Sequence, residues 1–317
     1  MRKKLINTDR ETALKLIKAS SEREGILDDH GIAHLVINGS EVVGARELPG
    51  LNVSAAPAED GIEVRVRLEE GARIEKPVHM CFGVLPEKGV QKIQLDVALE
   101  RNSSIDILAH CTFPFATDVK HIMNAQIKIG EGASYRYTER HIHSSTGGVK
   151  VYPKARVLLG DNAVFRTDFE LLKGRVGLID IDYETECGRG STMEMTARVD
   201  GKEDDVVRIS EKGFLKGEGS TGVLTTRIAL RGRARGEVYN ELIADAPHAR
   251  GHVDCKEIVQ GESSAKAVPV VQVNHPKAHI THEAAIGSVD SKQLQTLMSR
   301  GMNEEQATDL IIKGLLG

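Results

Sequence analysis

A short turn recurs along the middle of this chain at a nearly fixed interval, and no other feature restricts the fold as much. EEGA at 69–72, RNSS at 101–104, GEGAS at 130–134, GDNAV at 160–164, GRGST at 188–192 and GEGS at 217–220 align on a small residue that follows Gly or Asn. These residues are Ala72, Ser103, Ala133, Ala163, Ser191 and Ser220, at intervals of 31, 30, 30, 28 and 29. The text between them alternates Val, Ile, Leu and Thr with polar residues, as in IEVRVRL (62–68), IQLDVAL (93–99), AQIKI (125–129), ARVLL (155–159), TMEMTARV (192–199) and GVLTTRIAL (222–230). Alternation of this kind is the mark of half-buried strands. Strands repeating at such a period imply stacked coils, a β-solenoid. Gly or Asn supplies the left-handed backbone at each corner, and the small neighbour lets coils stack at about 4.8 Å. An antiparallel sandwich is the competing reading, but its turns recur every 8–12 residues or so.

Composition agrees. The chain has 317 residues with 31 Gly, only 11 aromatics and no Trp, so thin coils must be filled by aliphatic side chains and cornered by glycine. A formal charge of −4 with no basic run argues against nucleic-acid binding. No stretch approaches the roughly 20 apolar residues of a membrane helix. The N-terminus lacks the apolar segment of a secretory signal. Cys81, Cys111, Cys187 and Cys255 form no C-x-x-C pair, which excludes a disulfide framework and a zinc ribbon. A cytoplasmic protein with reduced thiols is expected.

The two ends read as helices. Thr8 with Glu11 is a capping-box pair, followed by Leu14 and Ile17 at helical spacing. Near the other end Leu294, Leu297 and Met298 form a stripe closed by Gly301. Asn303 then caps a second helix, with Gln306 three residues on and Ala307, Leu310 and Ile311 as its apolar face. The expected organisation is an N-terminal helical and mixed region over 1–50, a solenoid core over 51–287 and a helical hairpin over 288–317. Helices at the ends are expected to cover the terminal coils.

In a solenoid, residues one period apart share a face of neighbouring coils. Cys255 precedes His282 by 27 residues and Glu283 by 28, so a thiol, an imidazole and a carboxylate are expected to converge near the end of the solenoid. That set suits a thiophilic metal or sulfur centre; the plainer reading is a buried small residue and a surface histidine. A second strip contains His79, Cys81, His110, Cys111, His141 and His143. His79 and His110 lie seven residues past their turns, and Cys111 and His141 eight. It reads either as a packing ladder or as a metal-binding or sulfur-relay strip. Glu203, Asp204 and Asp205 read as a solvated turn. There is no P-loop, no G-x-S-x-G, and no glycine-rich turn that opens a helix.

Residues 279–317, HITHEAAIGSVDSKQLQTLMSRGMNEEQATDLIIKGLLG, resemble the end of the SufB/SufD family of iron–sulfur cluster assembly proteins. The matching features are His282-Glu283-Ala284, Gly287, Gln293-Leu294, the Ser299-Arg300-Gly301 corner and Glu304-Glu305-Gln306-Ala307. Asn240, Cys255, Gly261 and Pro269 extend the likeness upstream. The resemblance implies a right-handed parallel β-helix between helical ends, with a C-terminal hairpin that docks on SufC, an ABC-type ATPase. It further implies pairing of two chains through their β-helices, sulfur from a cysteine desulfurase system, and assembly of a transient iron–sulfur cluster from iron and sulfur.

In that family SufB carries the essential Cys and the His-Glu pair, whereas SufD lacks the Cys and keeps a His. Cys255, His282 and Glu283 match the SufB pattern, as catalytic residues and as ligands for iron or the cluster. The short N-terminal region departs from typical SufB, so both a homodimer and a SufB/SufD-type pair stay open. The alternative is a silent, SufD-like subunit that supports the complex and loads iron. A carbohydrate-active β-helix would call for aromatic or acidic faces and a secretion signal, which the sequence does not supply.

Overall fold

The computed structural model describes residues 9–20, 22 and 24–317. Helix α1 (Arg10–Ala19) comes first, capped by Asp9, whose carboxylate accepts from Thr12 N; Thr8 lies outside the described residues. Nineteen strands follow among the described residues: β1 (His34–Asn38), β2 (Glu41–Arg46), β3 (Leu51–Ala58), β4 (Gly61–Leu68), β5 (Val78–Gly83), β6 (Lys88–Leu99), β7 (Ser104–Phe113), β8 (Asp118–Ile129), β9 (Ser134–His143), β10 (Val149–Leu159), β11 (Val164–Lys173), β12 (Leu178–Cys187), β13 (Thr192–Gly201), β14 (Val206–Leu215), β15 (Thr221–Leu230), β16 (Arg235–Ala244), β17 (Arg250–Val259), β18 (Ser264–Val273) and β19 (His279–Gly287). Helices α2 (Ser291–Met298) and α3 (Glu304–Leu316) close the chain.

Each coil contributes one strand to each of two sheets. The first runs β19-β17-β15-β13-β11-β9-β7-β5-β1-β2 and the second β18-β16-β14-β12-β10-β8-β6-β4-β3. Except for the antiparallel pairs β1–β2 and β3–β4, neighbouring strands are parallel. The result is a parallel β-solenoid of about 8 turns. The repeat in the sequence is one of its two corner sets. Gly71, Asn102, Gly132, Asn162, Gly190, Gly219 and His248 all have φ between 55 and 69°, and each precedes the aligned small residue. Ser103, Ala133, Ala163, Ser191, Ser220 and Ala249 behind them are almost fully buried.

Sequence alternation identifies only one strand per coil; the structure has two. Some of the others escape because their inward positions are polar or aromatic rather than aliphatic. In β9 the buried face is Tyr135, Tyr137, Glu139, His141 and His143, which carries no simple apolar signal. Much of the lumen is an aliphatic core, and opposite charges stack from coil to coil outside, as in Arg67–Asp96 and Arg166–Glu194. Such exposed pairs contribute little individually. The acidic run at 203–205 is not simply solvated. Asp205 is fully buried and accepts from Arg175 Nη2, Gly177 N and Lys202 N.

Helices lie at both termini, but on the outer face of the first sheet rather than over the final coil. Helix α1 packs through Ala13, Leu16 and Ile17 on Val36, Val43 and Cys81. Asn303 and Gln306 form the expected capping box of α3. Its buried face, however, is Ala307, Thr308, Ile312 and Leu316, while Leu310 stays 45% exposed. The rotation follows from what α3 meets: Ala229 and Val289 share its apolar cluster, Arg231 pairs with Asp309, and Arg198 Nη1 donates to the Leu316 carbonyl. Strands β18 and β19 are therefore sheet edges with nothing over them among the described residues, and Val273 and Ile286 are each 46% exposed.

Candidate functional site

On β17 the alternation of a strand turns Val253, Cys255 and Glu257 into the lumen and Asp254 and Lys256 outward. Cys255 is fully buried. Asn240, inward on β16 of the opposite sheet, donates through Nδ2 to Thr226 Oγ1 at 2.9 Å and to Cys255 Sγ at 3.5 Å. Burial pushes the thiol up to about 12, and the Glu257 carboxyl adds to the rise. Burial also raises Glu257, to about 7, and neither of its oxygens has a hydrogen-bond partner among the described residues. One strand further in, Glu211 is the register partner of Asn240 and is raised to about 8 by burial.

Strand β19 lies in register over β17, with His282 beside Val253, Glu283 beside Asp254 and Ala284 beside Cys255. His282 thus shares the inner face with Cys255, one strand over and two residues along, a diagonal of about 8 Å between Cα atoms. Glu283 falls on the outer face, next to the Arg227–Asp254 pair. The structure brings two of the three expected residues to one face. Glu257 is the carboxylate that shares it, and the alternation in Cys255-Lys256-Glu257 is the signal that marks it.

A second group fills the lumen nearer the N-terminal end. Cys111 on β7 is in register with His141 on β9, as the spacing predicts. His79 and His110 are not partners: His110 pairs with Cys81 and His79 with His34. These four point outward, beneath the α1 side of the sheet. There burial depresses His34 and His110 to about 4 and lifts the Cys81 thiol to about 12, while His110 Nε2 lies 3.3 Å from Glu22 Oε1.

Inside, Cys111 Sγ is 3.4 Å from Glu139 Oε1 and 3.7 Å from His121 Nε2. His141 Nε2 contacts Glu139 Oε1 at 2.8 Å. Burial pushes the Glu139 carboxyl up, but its hydrogen bond and proximity to His141 outweigh that and hold it below the usual range. The Cys111 thiol is driven well up by burial and by Glu139. Sequence reading passed over His121, on a strand of the other sheet, and Glu139, on the same strand as His141 and two residues before it.

The SUF system FeS cluster assembly, SufBD core domain, matches residues 86–315, more than two thirds of the chain and including both groups. The chain belongs to the SufBD family. An iron-sulfur cluster assembly SufBD family protein of Methanocaldococcus jannaschii is 35% identical over 305 residues, 96% of each chain. Another SufBD family protein, of Pyrococcus horikoshii, is 33% identical over 299 residues, 93% of this chain and 91% of its own. The iron-sulfur cluster assembly protein SufB of Bacillus subtilis is 24% identical over 262 residues, 79% of this chain and 54% of its own length. SufBD family membership places the chain in iron–sulfur cluster assembly. No helix among the described residues is long and apolar enough to cross a membrane.

Proposed function

We propose that this SufBD-family chain is a cytoplasmic scaffold on which iron and sulfur are joined into a nascent cluster, with Cys255 as sulfur acceptor or cluster ligand. The observation that carries the reading is the shared inner face of Cys255 and His282 at the uncovered end of the solenoid. Thiolate sulfur and imidazole nitrogen are the donors a soft iron centre prefers. Glu257 stands two residues from the thiol on the same face, placed to take the proton that ligation displaces. Glu283, on the outer face, acts as a ligand only across an interface or after the last coil rearranges.

Two surfaces fit the partners this role requires. The edges of β18 and β19 offer unpaired backbone and exposed Val273 and Ile286, which suits pairing with a second copy or a SufB/SufD-type partner. Such pairing brings two Cys255–His282 sets to one interface. The hairpin presents a groove lined by Gln293, Thr296, Leu297 and Leu310, which suits a SufC-type ABC ATPase. Through Arg231, α3 is tied to β15, the strand next to β17, so force on the hairpin reaches the neighbour of the cysteine strand. A sulfur donor system supplies the other substrate.

The test is anaerobic reconstitution with ferrous iron and sulfide. Sulfur-to-iron absorption should form on the wild type and be lost in Cys255→Ser; equal absorption in both rejects the assignment. A second reading, a silent SufD-like subunit, is favoured by the burial of Cys255 and the outward Glu283. Complementation by a Cys255→Ala/Glu283→Ala double variant supports that reading, and failure to complement supports the first.

A further inference from the structure

The lumen group around Cys111 has the properties of a metal site distinct from Cys255. Three different ligand types from three strands converge: Cys111 Sγ, a His121 nitrogen and a Glu139 oxygen all lie within 4.8 Å of one another. A metal sits about 2.3 Å from a thiolate and 2.0–2.2 Å from nitrogen or oxygen. At a tetrahedral angle, sulfur is then about 3.6 Å from each of the other donors. The observed separations, 3.7 Å to His121 Nε2 and 3.4 Å to Glu139 Oε1, bracket that value.

Hydrogen bonds behind the ligands fix which atoms are free to coordinate. Gln91 donates through Nε2 to the carbonyls of Gly39 and Gly83 at 2.8 and 3.1 Å, which leaves its Oε1 as an acceptor. His121 Nδ1 lies 2.9 Å from that oxygen, so Nδ1 carries the hydrogen and Nε2 presents its lone pair to the Cys111 sulfur. On the other side His143 Nδ1 donates to the Arg175 carbonyl at 3.2 Å. His143 Nε2 lies 3.1 Å from His141 Nδ1, and His141 Nε2 lies 2.8 Å from Glu139 Oε1. Both a ligating histidine and a ligating carboxylate thus have the outer partners that metal ligands ordinarily have.

Burial sharpens the point. Cys111, His121 and Glu139 are 0 to 1% exposed, with the Phe113 ring 5.2 Å from His121 and the Phe169 ring 4.7 Å from His141. An acid, a thiol and a bare imidazole nitrogen facing one another in such surroundings are costly unless something positive sits between them.

We propose that Cys111 Sγ, His121 Nε2 and Glu139 Oε1 bind one divalent transition-metal ion of the zinc or ferrous class inside the solenoid, oriented by Gln91 and His141. As the metal–sulfur bond forms, the Cys111 proton leaves to solvent; no oxidation is involved. Enclosure makes the ion resident, acquired as the chain folds, in contrast to material handled at the open end. The site does not depend on the role given to Cys255.

Cobalt(II) is the probe. Refolding the full chain with one equivalent should give one bound cobalt and intense sulfur-to-cobalt charge-transfer absorption. Cys255→Ser should keep that band, Cys111→Ser should abolish it, and His121→Ala should weaken cobalt affinity at least 10-fold. Absence of the band in the wild type, or its persistence in Cys111→Ser, overturns the proposal. If the variants do not fold, X-ray absorption on the zinc-loaded wild type decides. One sulfur with nitrogen and oxygen neighbours supports the site; a shell with no sulfur overturns it.

Discussion

Asn240 faces Cys255 across the lumen, and its amide nitrogen donates to the cysteine sulfur at 3.5 Å. That donor favours the thiolate, yet burial dominates and the thiol is raised to about 12. Iodoacetamide at pH 8 should therefore label Cys255 of the free native chain on the order of 1,000-fold more slowly than in urea. Asn240→Leu, which removes the donor, should slow labelling further. Rapid native labelling followed by mass mapping would contradict the burial.

Glu211 gives a pH signature. Its carboxyl is raised from 4.5 to about 8 by burial, so the folded chain keeps a proton that the unfolded chain loses. Stability from this group is fully present below about pH 4.5 and is lost as pH rises toward 8, by a few kcal/mol at most. Glu211→Gln should match the wild type near pH 4.5 and be the more stable of the two at pH 8. Calorimetric melting at both values checks it; an equal difference at both values argues against the shift.

Corner geometry can be tested with two substitutions of opposite sign. His248 and Gly219 occupy equivalent corners at φ 62 and 69°. A non-glycine residue there costs roughly 1–2 kcal/mol, partly offset in glycine by about 0.5–1 kcal/mol of chain entropy. His248→Gly should stabilise by up to about 1 kcal/mol, and Gly219→Ala should destabilise by a similar amount, in urea titrations.

Removal of residues 290–317 should leave the β circular dichroism largely intact, because α3 packs on the outer side of the first sheet, chiefly at β13 and β15, and not in the lumen. The same truncation should abolish co-purification with the SufC-type ATPase. Retained binding would place the partner elsewhere.

The solenoid was legible because its corners obey local rules: a left-handed residue and a buried small neighbour recur whatever the strands contain. The second strand of a coil was less so: β9, for one, turns Tyr135, Tyr137, Glu139, His141 and His143 inward where alternation expects Val or Ile. At the site, period arithmetic placed Cys255 and His282 correctly on adjacent strands. It could not resolve faces, because one residue of offset moves Glu283 to the other side. His121 comes from the opposite sheet, so no spacing within the first sheet could reveal it.

Mössbauer spectroscopy of the chain reconstituted anaerobically with iron-57 and sulfide, compared with Cys255→Ser, tests the central claim most directly. The wild type should show sulfur-coordinated cluster iron, and the variant should lose that component while any isolated ferrous ion at Cys111 persists. Identical cluster signals in the two samples would contradict the placement of assembly at Cys255.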